Sequence, residues 1–334
     1  MTGRAAPDPS GALVLGIDVG GSTTRVLVAG LDGRVIGTGR AGGGNPVAHG
    51  GPAAAAEVAA ALRAALTGVD PGAVVAGVVG LAGGTVASRV LAGVWPAAGL
   101  RVLPRLVSDV ELAYAAGTDR PDGTVLVAGT GAVAGECRDF TPVRFADGHG
   151  WLLGDRGSGY WLGRTAVSSA LTTLDRTRAP GALPPFAAAV VAALTGATPP
   201  TGGPDAVARL RAAVIGAAHA EPPVRLARLA PLVLRGAAEG DPDARQLVER
   251  AADHLLTTLG TVRAPDSTRP VVLAGGVLVP ASPLTEAVRT RITARWPAAS
   301  VPLAAGTAGA AAWLAARPLG VPGTLHRRLV GAPD

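Results

Sequence analysis

Lysine is absent from this 334-residue chain, so all 30 Lys-or-Arg positions are arginine. A P-loop requires Gly-Lys-[Ser/Thr], a protein-kinase fold requires its strand lysine, and Ser-x-x-Lys acylases require theirs, so all three are excluded. A phosphate binder built without lysine must rely on backbone amides, hydroxyls and a metal ion. Cysteine is almost absent too: the single Cys137 rules out a disulfide framework and a cysteine-rich metal site. The five histidines show no HxH or HxxxH spacing that would suggest zinc. Aromatic residues make up only 3%, leaving a core of Ala, Val and Leu within a 48% hydrophobic composition. No apolar run reaches membrane-spanning length without charge; the alanine-rich stretch 53–66 is interrupted by Glu57 and Arg63. No signal peptide is read in MTGRAAPDPSG, so the expected compartment is the cytoplasm, with no membrane partner. The net charge of +6 is spread along the chain with no run longer than Arg327-Arg328, which argues against a nucleic-acid partner.

Glycine, at 48 residues, is abundant, and two of its clusters follow apolar strands. The first lies in LVLGIDVGGSTTRVLVAG from Leu13, the second in GTVLVAGTGAVAGE from Gly123. Turns of this kind let backbone N–H groups close on phosphate oxygens. Around the first, strands are expected at 13–18, 23–29 and 34–40, the last two joined by the hairpin signal Asp32-Gly33. An alanine-rich helix is expected at 51–67 and strands at 74–79 and 101–107. The last of these delivers Ser108 and Asp109, one of which caps the following helix. The pattern then restarts with strands at 124–128 and from 133, a long loop over 147–164 feeding a helix, mostly helical sequence to 259, a strand at 270–274, a short strand at Val301 and a small-residue helix at 306–316. A meander followed by βα units, given twice, implies two α/β lobes with a cleft between them.

Five blocks in order carry a resemblance. DVGGSTTR (Asp18–Arg25) and VLVAGTGA (Val125–Ala132) resemble the two phosphate motifs of the actin-like ATPase and sugar-kinase superfamily, and VVLAGGV (Val271–Val277) its adenosine motif. SDVELA (Ser108–Ala113) stands where that superfamily carries its catalytic aspartate. GHGWLLGDRGSGYWLG (Gly148–Gly163) resembles the sugar-loop block of N-acetylglucosamine kinases within the BadF/BcrA-type ATPase family. The resemblance spans roughly residues 13–314. It implies two ribonuclease H-like (actin-like ATPase) lobes with a central nucleotide and sugar cleft, divided as 1–116 and 117–334, the 305–317 helix being free to pack back on the first lobe.

It also implies a site. Asp18 would hold Mg²⁺, through water; the alternative is an Asx-turn aspartate. Gly20, Gly21, Ser22 and Thr23 would meet the β- and γ-phosphates of ATP, Gly129, Thr130 and Gly131 would do so from the other lobe, and Gly275 and Gly276 would lie against adenine and ribose. Asp109 would be the general base, though an N-cap role could coexist. Asn45, Gly83, Gly84, Gly148, His149 and Asp155 would line the sugar pocket. The alternatives there are ordinary turn, capping and strand-to-helix positions. Trp151, Tyr160 and Trp161 are expected in the core, anchoring the loop-to-helix join.

The implied activity is ATP-dependent phosphorylation of an amino sugar, N-acetylglucosamine at its 6-hydroxyl, with glucosamine the alternative and a homodimer left open. Two departures bear on the substrate: His149 replaces the family's pocket tryptophan, and Arg156 its usual acid. Dehydratase-activating relatives carry an iron–sulfur cluster at a subunit interface, for which one cysteine per chain is too few. A sugar-responsive regulator would need a helix-turn-helix that is not read before the first strand.

Overall fold

The computed structural model describes residues 11–82, 89–196 and 204–332. Nine strands are described: β1 (Leu13–Val19), β2 (Thr24–Gly30), β3 (Val35–Ala41), β4 (Val74–Leu81), β5 (Arg105–Val107), β6 (Gly123–Ala128), β7 (Ala132–Arg138), β8 (Thr141–Asp147) and β9 (Val271–Ala274). The helices up to the long loop are α1 (Pro46–His49), α2 (Gly51–Ala65), α3 (Val94–Ala97) and α4 (Asp109–Ala115). Beyond it come α5 (Gly150–Leu153), α6 (Gly159–Arg176), α7 (Pro185–Thr195), α8 (Pro204–His219), α9 (Ala230–Glu239), α10 (Pro242–Val262), α11 (Pro283–Arg295), α12 (Thr307–Ala316) and α13 (Thr324–Val330). They fall into two compact units. One gathers the described residues up to Pro121, Asp139–Thr141 and those from Leu303 onward; the other is Asp122–Arg138 with Pro142–Pro302. None of the described helices is long and apolar enough to cross a membrane.

The first unit is built on a sheet of order β3-β2-β1-β4-β5. β1, β2 and β3 form the expected antiparallel meander, and β4 and β5 run parallel to β1. Leu15, Ile17, Val26 and Val28 point to one face, where Val58, Ala61, Leu62 and Ala65 of α2 cover them. α12 lies on β1 at Gly16: a Cβ there would overlap the Ala308 carbonyl and the Ala312 amide, so only glycine allows helix backbone to rest on strand backbone. Behind α12, Phe140 stacks edge-on against Trp313 at 4.9 Å and tilts toward Tyr114 at 5.8 Å. β5 is shorter than the expected 101–107 strand, because Pro104 has no amide to give the ladder.

The second unit repeats the arrangement. Its sheet order, β8-β7-β6-β9, matches the first four strands of the other sheet, with β7 antiparallel and β9 parallel to β6. The expected strand at Val301 is not regular. The amides of Val271 and Leu273 donate to the carbonyls of Ser300 and Pro302, but Pro302 has no amide to return. The architecture is thus α/β, with one mixed sheet in each unit.

Candidate active site

In the first unit, parallel register aligns Asp18 on β1 with Gly80 on β4, and Gly80 with Val107 on β5. Asp109 follows two residues later at the start of α4. Asp18 and Asp109 therefore leave the same edge of the sheet, at the carboxyl ends of its parallel strands, with β4 lying between β1 and β5. Ser108, not Asp109, caps α4: its Oγ accepts the Glu111 amide at 3.0 Å. The Asp109 carboxylate accepts the neighbouring Val110 amide, at 3.0 Å. Water reaches this side chain, yet surrounding protein desolvates it enough to raise its pKa, against the lowering effect of the Val110 amide. A carboxyl that is accessible but crowded meets both conditions. It can be reached by a substrate hydroxyl, and it binds a proton more tightly than an ordinary aspartate.

The turn after β1 closes through a hydrogen bond from the Gly20 amide to the Thr23 carbonyl at 2.9 Å. Two neighbours brace it. His49 Nε2 lies 2.5 Å from the Gly21 carbonyl oxygen, and Thr24 Oγ1 donates to the Gly42 carbonyl at 2.9 Å. Asn45 is buried; its side-chain amide donates to the Ala82 carbonyl at the end of β4, and its backbone carbonyl accepts the His49 amide of α1. In this arrangement Asn45 holds the GGGNP loop to the sheet edge. Gly83 and Gly84 lie outside the described residues.

In the second unit the turn after β6 and the turn after β9 sit side by side. The Val277 amide donates to the Ala128 carbonyl at 3.0 Å. Gly275 has φ +92°, and a Cβ there would overlap the backbone of Ala128, so no other residue fits. This brings Gly129, Gly275 and Gly276 together. The first amides of α6 face the same turn: Gly159 donates to the Gly129 carbonyl at 2.8 Å and Tyr160 to the Thr130 carbonyl at 3.1 Å.

Asp155 is buried, with φ +57°, and its Oδ1 accepts the Ala132 amide at 2.9 Å, immediately after Gly131. Desolvation raises its pKa, the Ala132 amide and His149 lower it, and the negative charge of Asp147 raises it. Asp147 in turn accepts the amides of Asp155 at 2.7 Å and Arg156 at 3.1 Å. Asp155 thus ties the 148–163 block to the second glycine turn, and Asp147 fixes the bend of that block at Asp155 and Arg156. Gly148 and His149 are exposed beside them, where the Gly148 amide donates to the Ala132 carbonyl. Tyr160 is buried as expected, but Trp151 is 41% exposed and meets Tyr160 edge-on at 6.0 Å. The four-residue α5 that carries it is too short to bury a face. Trp161 is half-buried between His254 and the Arg250 guanidinium.

Three residues given no role from the sequence take part. Asp147 is one. The others are Thr307, whose hydroxyl donates to Asp18 Oδ2 at 2.5 Å, and Arg25, whose Nη1 lies 3.4 Å from the same oxygen. Arg25 sits within the DVGGSTTR block, opposite Asp18 on β2, and could have been found there; Thr307 has no local signal. Among the described residues no group of three or more His, Cys, Asp or Glu side chains could cage a metal. A lone Asp18 carboxylate does fit Mg²⁺, which keeps most of its waters and is usually held by one or two carboxylates plus substrate phosphates.

The sequence profile of the BadF/BadG/BcrA/BcrD ATPase family matches residues 15–314. The N-acetylmuramic acid/N-acetylglucosamine kinase of Clostridium acetobutylicum is 35% identical over 72 residues, 21% of this chain, and the match spans 23% of that protein's length. A Chromobacterium violaceum structure provisionally assigned as an N-acetylglucosamine kinase is similar with a TM-score of 0.70 and 25% identity, over 92% of this chain and 99% of that one. A ROK family glucokinase from Streptomyces griseus, solved with glucose and AMPPNP, has a TM-score of 0.55 at 18% identity, over 92% of this chain and 100% of its own, a likeness of fold alone.

Proposed function

The chain belongs to the BadF/BadG/BcrA/BcrD ATPase family and has the α/β fold of actin-like sugar kinases, and from that premise we propose that it is an ATP-dependent amino-sugar kinase acting on the 6-hydroxyl of N-acetylglucosamine. The observation that carries this reading is the register alignment that sends Asp18 and Asp109 off one sheet edge. Asp109 accepts the proton of the 6-hydroxyl as the new O–P bond forms, and the bond from the γ-phosphorus to the β,γ-bridging oxygen breaks to release ADP. Its elevated proton affinity suits a general base. Gly20, Gly21, Ser22 and Thr23 are assigned to the β- and γ-phosphates, Gly129, Thr130 and Gly131 to the phosphates as well, although the Gly129 amide itself donates to the Gly131 carbonyl, and Gly275 and Gly276 to the adenosine. Asp18 is the residue that would hold Mg²⁺, and the ion would supply charge neutralisation to the phosphates. The sugar pocket is assigned, on the resemblance, to Asn45, Gly83, Gly84, Gly148, His149 and Asp155; Asp155 also accepts the Ala132 amide beside the second turn.

Glucosamine is the second reading. It is favoured by His149, which is exposed and can hydrogen-bond a 2-amino group where an indole would mainly pack. The deciding experiment is ATP consumption with glucosamine, N-acetylglucosamine, N-acetylmannosamine, N-acetylmuramic acid and glucose, with the product's phosphate position read by NMR. We expect turnover with N-acetylglucosamine and a 6-phosphate product. Preference for glucosamine would move the assignment to the second reading, and inactivity toward every amino sugar would overturn it.

A further inference from the structure

α12 begins at Thr307 and rests on β1 with no room to slide. Its backbone meets Gly16 on one side, and Gly309 meets the Leu329 carbonyl of α13 on the other. The helix N-cap is Gly306, and Thr307 gives its own helix no side-chain cap. Its hydroxyl goes instead to Asp18 Oδ2, 289 residues away in sequence, at 2.5 Å. The Arg25 guanidinium approaches the same oxygen from β2 at 3.4 Å. One carboxylate oxygen is thus gripped from two directions, by a β-branched side chain with few rotamers and by the neighbouring strand.

We infer that Thr307 is a positioning residue for Asp18, holding its carboxylate in the orientation that receives the hydrated Mg²⁺ of Mg·ATP. This rests on the role given to Asp18 above. Hydrogen-bond partners of this kind, one step out from a metal, orient the ligand, and their loss commonly costs 10- to 100-fold in metal affinity. The competing explanation is that the bond only fastens α12 to β1. The two differ in whether removing the hydroxyl changes the response to Mg²⁺ or only the stability.

The test is calorimetric titration of ATP into the full chain with and without MgCl₂, alongside thermal unfolding. In the wild type, Mg²⁺ should strengthen ATP binding. Thr307→Val replaces the hydroxyl by a methyl of similar size. It should reduce the Mg²⁺-linked gain about tenfold, leave Mg²⁺-free ATP affinity unchanged, and raise the Mg²⁺ concentration needed for half-maximal turnover. Thr307→Ser should restore all three, and Thr307→Ala takes the place of the valine variant if that one does not fold. An unchanged Mg²⁺-linked gain, an equal loss without Mg²⁺, or failure of serine to rescue would each overturn the inference while leaving the kinase reading intact. A wild type whose ATP affinity ignores Mg²⁺ would overturn the role of Asp18 and this inference together.

Discussion

Asp109→Asn separates chemistry from fold. The asparagine Oδ1 can still accept the Val110 amide, and the cap of α4 is unaffected because Ser108 provides it. Losing a negative charge at the first turn of a helix costs about 0.3–1 kcal/mol. Removing an ionised group whose pKa is raised by desolvation acts in the opposite direction. Unfolding free energy should therefore change by no more than about 1 kcal/mol. Transfer should suffer far more: general-base catalysis contributes about 10²- to 10⁴-fold, which is about 3–5 kcal/mol of barrier. The assay is kcat with saturating sugar and Mg·ATP, with ATP affinity measured separately and expected to hold. The wild-type kcat/KM should fall with decreasing pH through a carboxyl pKa above the usual aspartate value, because only the ionised form accepts a proton. That acid limb should vanish in the variant. Turnover within tenfold of wild type, or an unaltered acid limb, would refute the assignment.

Two further predictions concern the second unit. Gly275→Ala places a Cβ against the backbone of Ala128 at φ +92°, so urea denaturation should show a loss of about 3 kcal/mol or more, and ATP affinity should fall with it. Asp155 has a raised pKa, so the folded state keeps a proton that the unfolded chain has released. Its contribution to stability is therefore fully present below the ordinary value near 3.8 and declines as pH rises through the elevated one. Asp155→Asn removes this titration and keeps an acceptor for the Ala132 amide. The stability of the variant relative to wild type should rise from pH 4 toward neutrality and then level off; a pH-independent difference would contradict this.

The meander and both glycine turns were legible because each is local. Tight turns need glycine, and the flanking strands alternate or run apolar over a few residues. Asp18 and Asp109 could be placed for the same reason, since both lie at strand ends. What was not legible depends on distant segments. The Asp155–Ala132 bond spans 23 residues and requires a left-handed backbone at Asp155 that no motif announces. The Thr307–Asp18 bond requires knowing that α12 lies on β1, a fact recorded only in the absence of a side chain at Gly16. Pro104 and Pro302 shortened two expected strands through one missing amide each, and α5 was too short to bury Trp151.

The seating of α12 on β1 also sets a timetable for the newborn chain. β1 to β5 emerge from the ribosome well before α12, which covers the Gly16 face of β1. At about 5–20 residues per second, the delay is on the order of tens of seconds. Through that interval one side of the sheet stays bare, while the segment forming the second unit is already translated and able to collapse. Variants that weaken this late-arriving helix should therefore lower the yield of native protein during synthesis more than the stability of molecules already folded.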